Sequence, residues 1–148
     1  MKASRLALVF SIAIGLAGLT MAAARAADAD RPVAEQVAAA FCDALDTGDL
    51  GQVWDQDLGP IYQALIPRKT FIETIGVARI QAGGPHIARE LVGEQPLSQL
   101  PTGQTGDFFY VRYRTTFRTG VVFQDIYLQN LGGTWKVITS LALPAPPG

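Results

Sequence analysis

Residues Asp107–Leu143, DFFYVRYRTTFRTGVVFQDIYLQNLGGTWKVITSLAL, decide how this chain folds. They form three runs rich in aromatic and β-branched residues, parted by Thr119-Gly120 and Gly132-Gly133. Alternating runs around short glycine turns predict an antiparallel meander. With each dipeptide as a two-residue loop, Thr115 faces Gln124, Tyr113 faces Ile126, Val111 faces Leu128, and Leu128 faces Val137. Arg114 then lies opposite Asp125, an ion pair across the first hairpin that marks the register.

Side chains alternate across a sheet, so this register sorts them onto two faces. One face collects Phe109, Val111, Tyr113, Phe117, Val122, Ile126, Leu128, Trp135, Val137 and Leu141, and is the expected core. Thr115 and Gln124 interrupt it, with Tyr113 and Thr139 nearby. Polar groups there must be hydrogen-bonded or wet. Either they satisfy one another near the sheet edge, or Tyr113, Thr115, Gln124 and Thr139 form the polar floor of a ligand pocket. The opposite face carries Phe108, Tyr110, Phe123, Tyr127 and Ile138. That is much apolar surface for a solvated face, so Tyr110, Phe123 and Tyr127 are the expected partner surface, most simply toward a second copy in a homodimer.

Upstream of the meander the period changes. Asp30-Arg31-Pro32 reads as a helix start, and Val33, Val37, Phe41 and Leu45 recur every four residues as one apolar stripe. Gly48 ends that helix. Short helical pieces are expected over 50–55 and 61–66, and a longer one over 68–81, stopped by Ala82-Gly83-Gly84-Pro85. A weaker strand pattern covers 87–95, and 96–106 reads as a loop. Helices followed by about four strands predict an α+β domain, with the helices packed on one face of an antiparallel sheet.

The N-terminus reads as a cleavable signal peptide over residues 1–26. Lys2 and Arg5 precede an apolar run over 6–19, and Ala24-Arg25-Ala26 offers small residues for cleavage. The run is shorter than the roughly 20 residues a membrane span needs. A periplasmic or secreted protein is expected, free of the membrane after cleavage. The remaining domain covers 27–143, and 144–148 is a proline-rich tail. Three of the 12 basic residues lie in the leader and none of the 13 acidic ones do, which leaves the mature chain acidic. This balance argues against a nucleic-acid partner. The lone Cys42 excludes an intrachain disulfide and reads as a packed thiol.

Leu100-Pro101, Gly103, Gly106 and Phe108, then Val111-x-Tyr113-x-Thr115-x-Phe117 and Gly133-x-Trp135-Lys136-Val137, follow one another at set spacings. With Leu45-Asp46-x-Gly48-Asp49, Trp54, Arg79, Gly84 and Arg89, this pattern resembles a family of small exported bacterial proteins described only as a domain of unknown function. The resemblance covers roughly 33–143. It implies a cystatin-like cone of the nuclear-transport-factor-two-like superfamily, a curved sheet wrapped on helices. It supplies no catalytic residues.

Chemistry is sparse in the sequence. His86 stands alone after Gly84-Pro85 and reads as a solvent-facing or capping residue rather than a metal ligand. Asp55 and Asp57 read as helix-end and turn residues, and Arg89, Arg112 and Arg114 as surface pairs. No phosphate loop, dinucleotide fingerprint or serine elbow is present. The expected function is a non-enzymatic binding or interaction module for a small apolar or amphipathic ligand or a protein partner, without cofactor or metal. The alternatives are a cone-pocket enzyme for proton transfer or hydrolysis, using Asp55 or Asp57 with Tyr113 as donor, and a structural protein without ligand.

Overall fold

The computed structural model describes the backbone of residues 14–146 and the side chains of residues 30–146. Residues 1–13 of the expected signal peptide and Pro147-Gly148 of the expected tail lie outside the described residues. The chain divides into two compact units, 1–30 and 31–148. Of the first, the helical backbone from Ile14 is described; the second carries the sheet and the packed core. No helix among the described residues is long and apolar enough to cross a membrane.

The order is α1 (Ile14–Thr47), α2 (Leu50–Gln56), α3 (Pro60–Leu65) and α4 (Arg68–Ala82), then β1 (Ala88–Gln99), β2 (Thr105–Phe117), β3 (Gly120–Leu131) and β4 (Thr134–Pro144). The four strands form one antiparallel sheet in sequence order, with β1 and β4 at its edges. The architecture is α+β. Asp30-Arg31-Pro32 is not a helix start: Pro32 lies inside α1. Proline's fixed φ is helical, so the helix passes it at the loss of one backbone hydrogen bond. The strand expected over 87–95 reaches Gln99.

The first hairpin turns on Arg118-Thr119, since Phe117 pairs with Gly120. The register therefore differs from expectation by two residues. A two-residue slip preserves both faces, and Phe109, Val111, Tyr113, Ile126 and Leu128 are all buried. It changes the partners. Arg112, not Arg114, lies opposite Asp125, and Tyr113, not Thr115, lies opposite Gln124.

The second hairpin turns on Gly132-Gly133 as expected, with both glycines at positive φ. It departs further along. Leu128 pairs with Val137 but Tyr127 pairs with Thr139, so Ile138 is the extra residue of a β-bulge. One extra residue inverts the faces beyond it. Leu141 pairs with Asp125 and is half exposed, rather than joining the core. Beside the bulge, the segment between α2 and α3 is stitched to β4: Val137 N–H donates to Asp57 O (3.0 Å) and Gly59 N–H to Val137 O (2.7 Å).

The buried stripe of α1 is Ala34, Ala38, Phe41 and Cys42, while Val33 is 47% exposed. Of the expected stripe, Phe41 is buried and Val37 and Leu45 pack against the core, so the buried face is centred slightly to one side of it, on the alanines. Opposite it are Val111, Tyr113, Ile126 and Val137, with Phe109 edge-on to Trp135 at 6.2 Å between centroids. Phe71 of α4 and Val53 of α2 complete the core.

Candidate functional site: the corner of α1, α4 and the sheet

The last turn of α1 leaves carbonyls without partners inside the helix. Arg79, one turn before the end of α4, reaches this helix end, where Ala44 O also accepts from Gly48 N–H (2.8 Å). Its Nη2 donates to Ala44 O and Gly48 O, both at 2.8 Å, and its Nε donates to Leu45 O. A guanidinium at a helix C-terminus also opposes the negative end of the helix dipole. Gly83, at φ 78°, closes α4 in the left-handed conformation that glycine adopts without strain. Gly84 N–H donates to Arg79 O (3.3 Å), which ties this cap to the arginine.

A second arginine grips the same corner from the sheet. Arg89 of β1 donates through Nη2 to Asp46 Oδ2 (2.8 Å) and through Nη1 to Asp43. His86 Nδ1 lies 2.5 Å from Asp46 Oδ2. Arg89 and Asp46 have side chains only 7% and 8% exposed. His86 is therefore neither free nor a cap; it is one arm of a cluster that ties the approach to β1 onto α1. Asp43, Asp46 and His86 bring ligand-type atoms within 4.8 Å of one another. The trio does not fit a metal, because the Arg89 guanidinium already binds both carboxylates and would oppose a second cation. Cys42 lies behind this cluster, and burial pushes its thiol up to about 12, which makes it a packing group rather than a nucleophile.

Arg89 also organises the sheet. Its Nε donates to Gln124 Oε1 (3.4 Å), and Thr115 Oγ1 donates to the same oxygen (2.6 Å). Thr115 is fully buried and Gln124 is 7% exposed. The pair meets diagonally across β2 and β3.

Above Gln124 lies a cleft of about 590 Å³. Leu45 of α1 and Ile75, Ala78 and Ala82 of α4 form one wall. Phe117, Val121 and Val122 of the first hairpin form another, and Ala142, Pro144 and Ala145 a third. Asp46, Arg79 and Gln124 are among its polar lining groups. Its size and mostly apolar walls are those of a small-molecule site.

Of the four residues expected at a pocket, only Gln124 lines this cleft. Thr115 lies beneath it and holds its amide. Tyr113 is directed to α1, where its hydroxyl donates to Glu35 O (3.4 Å), and burial pushes the phenol up to about 12. Thr139 falls on the opposite face, because the Ile138 bulge inverts that end of β4. Asp55 and Asp57 are also absent from the cleft lining. Asp55 is exposed, and its hydrogen bonds with Arg68 hold its carboxyl below the usual range; burial raises that of Asp57. The corner is hidden in the sequence because Asp43, Asp46, Arg79, His86 and Arg89 share no periodic pattern. Its traces are Asp43 and Asp46 at a spacing that shares a helix face, and Asp46, Arg79 and Arg89 in the pattern that resembles the family.

The outer sheet face gathers Tyr110, Phe123 and Tyr127 around a second carboxylate. Asp125 accepts from Arg112 Nε (2.6 Å), Arg112 Nη2 (2.7 Å) and the Tyr110 hydroxyl (3.0 Å). Tyr110 packs on Tyr127 at 5.0 Å between centroids, and Arg112 stacks over Phe123 at 5.6 Å. The Arg112 hydrogen bonds hold the Asp125 carboxyl below the usual range.

A family described as a protein of unknown function, DUF4019, matches residues 37–139. The chain belongs to the DUF4019 family. No curated protein and no solved structure matches it. The DUF4019 match takes in both arginines of the corner, Gln124 and the Ile138 bulge. It identifies the domain and carries no activity with it.

Proposed function

We propose that this DUF4019 chain is an exported, non-enzymatic binding module that holds a small apolar or amphipathic molecule in the cleft between α1, α4 and the sheet. The observation that carries this reading is an apolar-walled space of about 590 Å³ whose neighbouring carboxylates, Asp43 and Asp46, are committed to Arg89. A carboxylate already held by an arginine is poorly placed to move protons. The basic start, apolar run and Ala24-Arg25-Ala26 of the N-terminus support export.

The test is saturable binding of a neutral hydrophobic dye, N-phenyl-1-naphthylamine, followed by its fluorescence. Ala142 lines the cleft opposite Gln124, so Ala142→Trp would place an indole in it. The expected result is one-site binding that this variant abolishes. Dye binding unaffected by Ala142→Trp, or no binding at all, would remove the reading.

The outer face favours a second, compatible reading: self-association through Tyr110, Phe123 and Tyr127. Its support is the half-buried aromatic cluster around Arg112 and Asp125. Sedimentation at micromolar concentration should then show a dimer, and Tyr127→Lys should return it to monomer. A wild-type chain that sediments as a monomer would end this idea.

A further inference from the structure

The polar atoms of the cleft carry information about its ligand. Arg89 can only donate hydrogen bonds, so the Gln124 side-chain atom facing it must be the amide oxygen. The Thr115 hydroxyl donates to that same oxygen. With Oε1 pinned from two sides, Nε2 is the free end of the amide. It has no hydrogen-bond partner among the described residues, yet it is not sealed from solvent. Gln124 is 7% exposed and lines the cleft, so that limited access is through the cleft. Arg79 repeats the pattern. Its Nε and Nη2 are used by the α1 carbonyls, and Nη1 is left without a partner among the described residues. Asp46 is the acid of the lining: its Oδ2 is taken by Arg89 and His86, the Arg89 guanidinium balances its charge, and Oδ1 has no side-chain partner among the described residues.

We propose that the cleft selects apolar molecules bearing an acceptor oxygen, a carboxylate or carbonyl, received by Gln124 Nε2 and Arg79 Nη1. The inference rests on the cleft being a ligand site, as proposed above. A nearly buried donor left unpaired disfavours an occupant that cannot accept from it. The apolar walls take the remainder of the molecule. An ammonium headgroup at Gln124 Nε2 and Arg79 Nη1 would meet two donors and a guanidinium charge, and the one carboxylate of the lining, Asp46, is already paired with Arg89.

The experiment compares decanoate with decylamine, which share an alkyl chain and differ in headgroup, by calorimetric titration of the purified chain below micelle-forming concentrations. Decanoate should bind at least about tenfold more tightly, as a hydrogen bond to a charged group implies. Gln124→Glu keeps the oxygen that Thr115 and Arg89 hold and replaces the amide donor by a second carboxylate oxygen. It should weaken decanoate binding and strengthen that of decylamine, a gain for the amine that misfolding would not produce. If Gln124→Glu does not fold, Gln124→Met should bring decanoate down to the affinity of decylamine. Equal binding of both ligands to the wild-type chain would overturn the acceptor-oxygen inference and leave the cleft standing as a ligand site. Failure of decanoate, decylamine and the neutral dye alike would overturn both.

Discussion

Asp46 and Asp125 are carboxylates of nearly equal burial, 8% and 7% exposed, and each is held by an arginine. They do different work. Asp125 is bound by Arg112, its cross-strand partner in one hairpin, and that arginine's side chain is 41% exposed. Asp46 is bound by Arg89, which is 43 residues distant and itself 7% exposed. The first pair confirms a register that the hairpin already imposes. The second joins a helix to an edge strand and positions Gln124 over the core. Coulombic attraction inside a protein offsets desolvation only when geometry is good, and removing one partner leaves the other charge stranded. The effect of breaking each pair should therefore follow the burial of its arginine.

Arg89→Met should be the largest single effect, a loss of about 3 kcal/mol or more, because Asp46 would remain buried without its main partner. Urea unfolding measures it, and a loss below about 1 kcal/mol would mean that packing alone holds the corner. Arg79→Gln comes next, at about 1–2 kcal/mol, through loss of the charged cap on α1. Helicity by circular dichroism should fall with it, as the end of α1 frays.

Acid separates the outer pair from packing effects. The folded Asp125 carboxyl has a pKa below its unfolded value, so the unfolded chain binds more protons in that range. Its stabilisation is present above the unfolded pKa and is lost as pH falls through the folded one. Melting temperature against pH should therefore fall less steeply on acidification in Asp125→Asn than in wild type; parallel curves would show that Arg112 does not control this carboxyl. The smallest effects compare two arginines on one strand. Arg112→Ala should lower the melting temperature modestly. Arg114→Ala should leave it nearly unchanged, because Arg114 is exposed and opposite Phe123. The reverse ranking would restore the register in which Arg114 faces Asp125.

Much of the sheet is legible in the sequence. Alternation from Phe109 to Tyr113 and from Ile126 to Leu128 is local and survives a two-residue slip, so the core face holds although the hairpin loop is displaced. Alternation fails for Thr139 and Leu141, because a bulge shifts the count by one and leaves no mark in the pattern. The stripe of α1 is legible in part. Val37, Phe41 and Leu45 do meet the core, but Val33 is exposed, and Ala34 and Ala38, which hydrophobicity alone does not single out, are fully buried. Of the candidate pocket, Gln124 is legible because a polar residue on a core face stands out. Arg79 and Arg89 are visible in the sequence only as parts of a spacing pattern, and their shared attachment to one helix end is invisible in one dimension.

By itself the sequence determined the order of helices and strands, the two faces of the meander and the N-terminal pattern read as a signal peptide. These depend on periods of two and about 3.6 residues and on local composition. Only the tertiary structure decided where Ile138 bulges, which arginine meets which carboxylate, and that the Gln124 amide turns a free donor toward a cleft. Those outcomes depend on groups tens of residues apart competing for the same backbone and side-chain partners: Asp57 and Gly59 against β4, Arg79 against the carbonyls of α1, and Arg89 between Asp46 and Gln124.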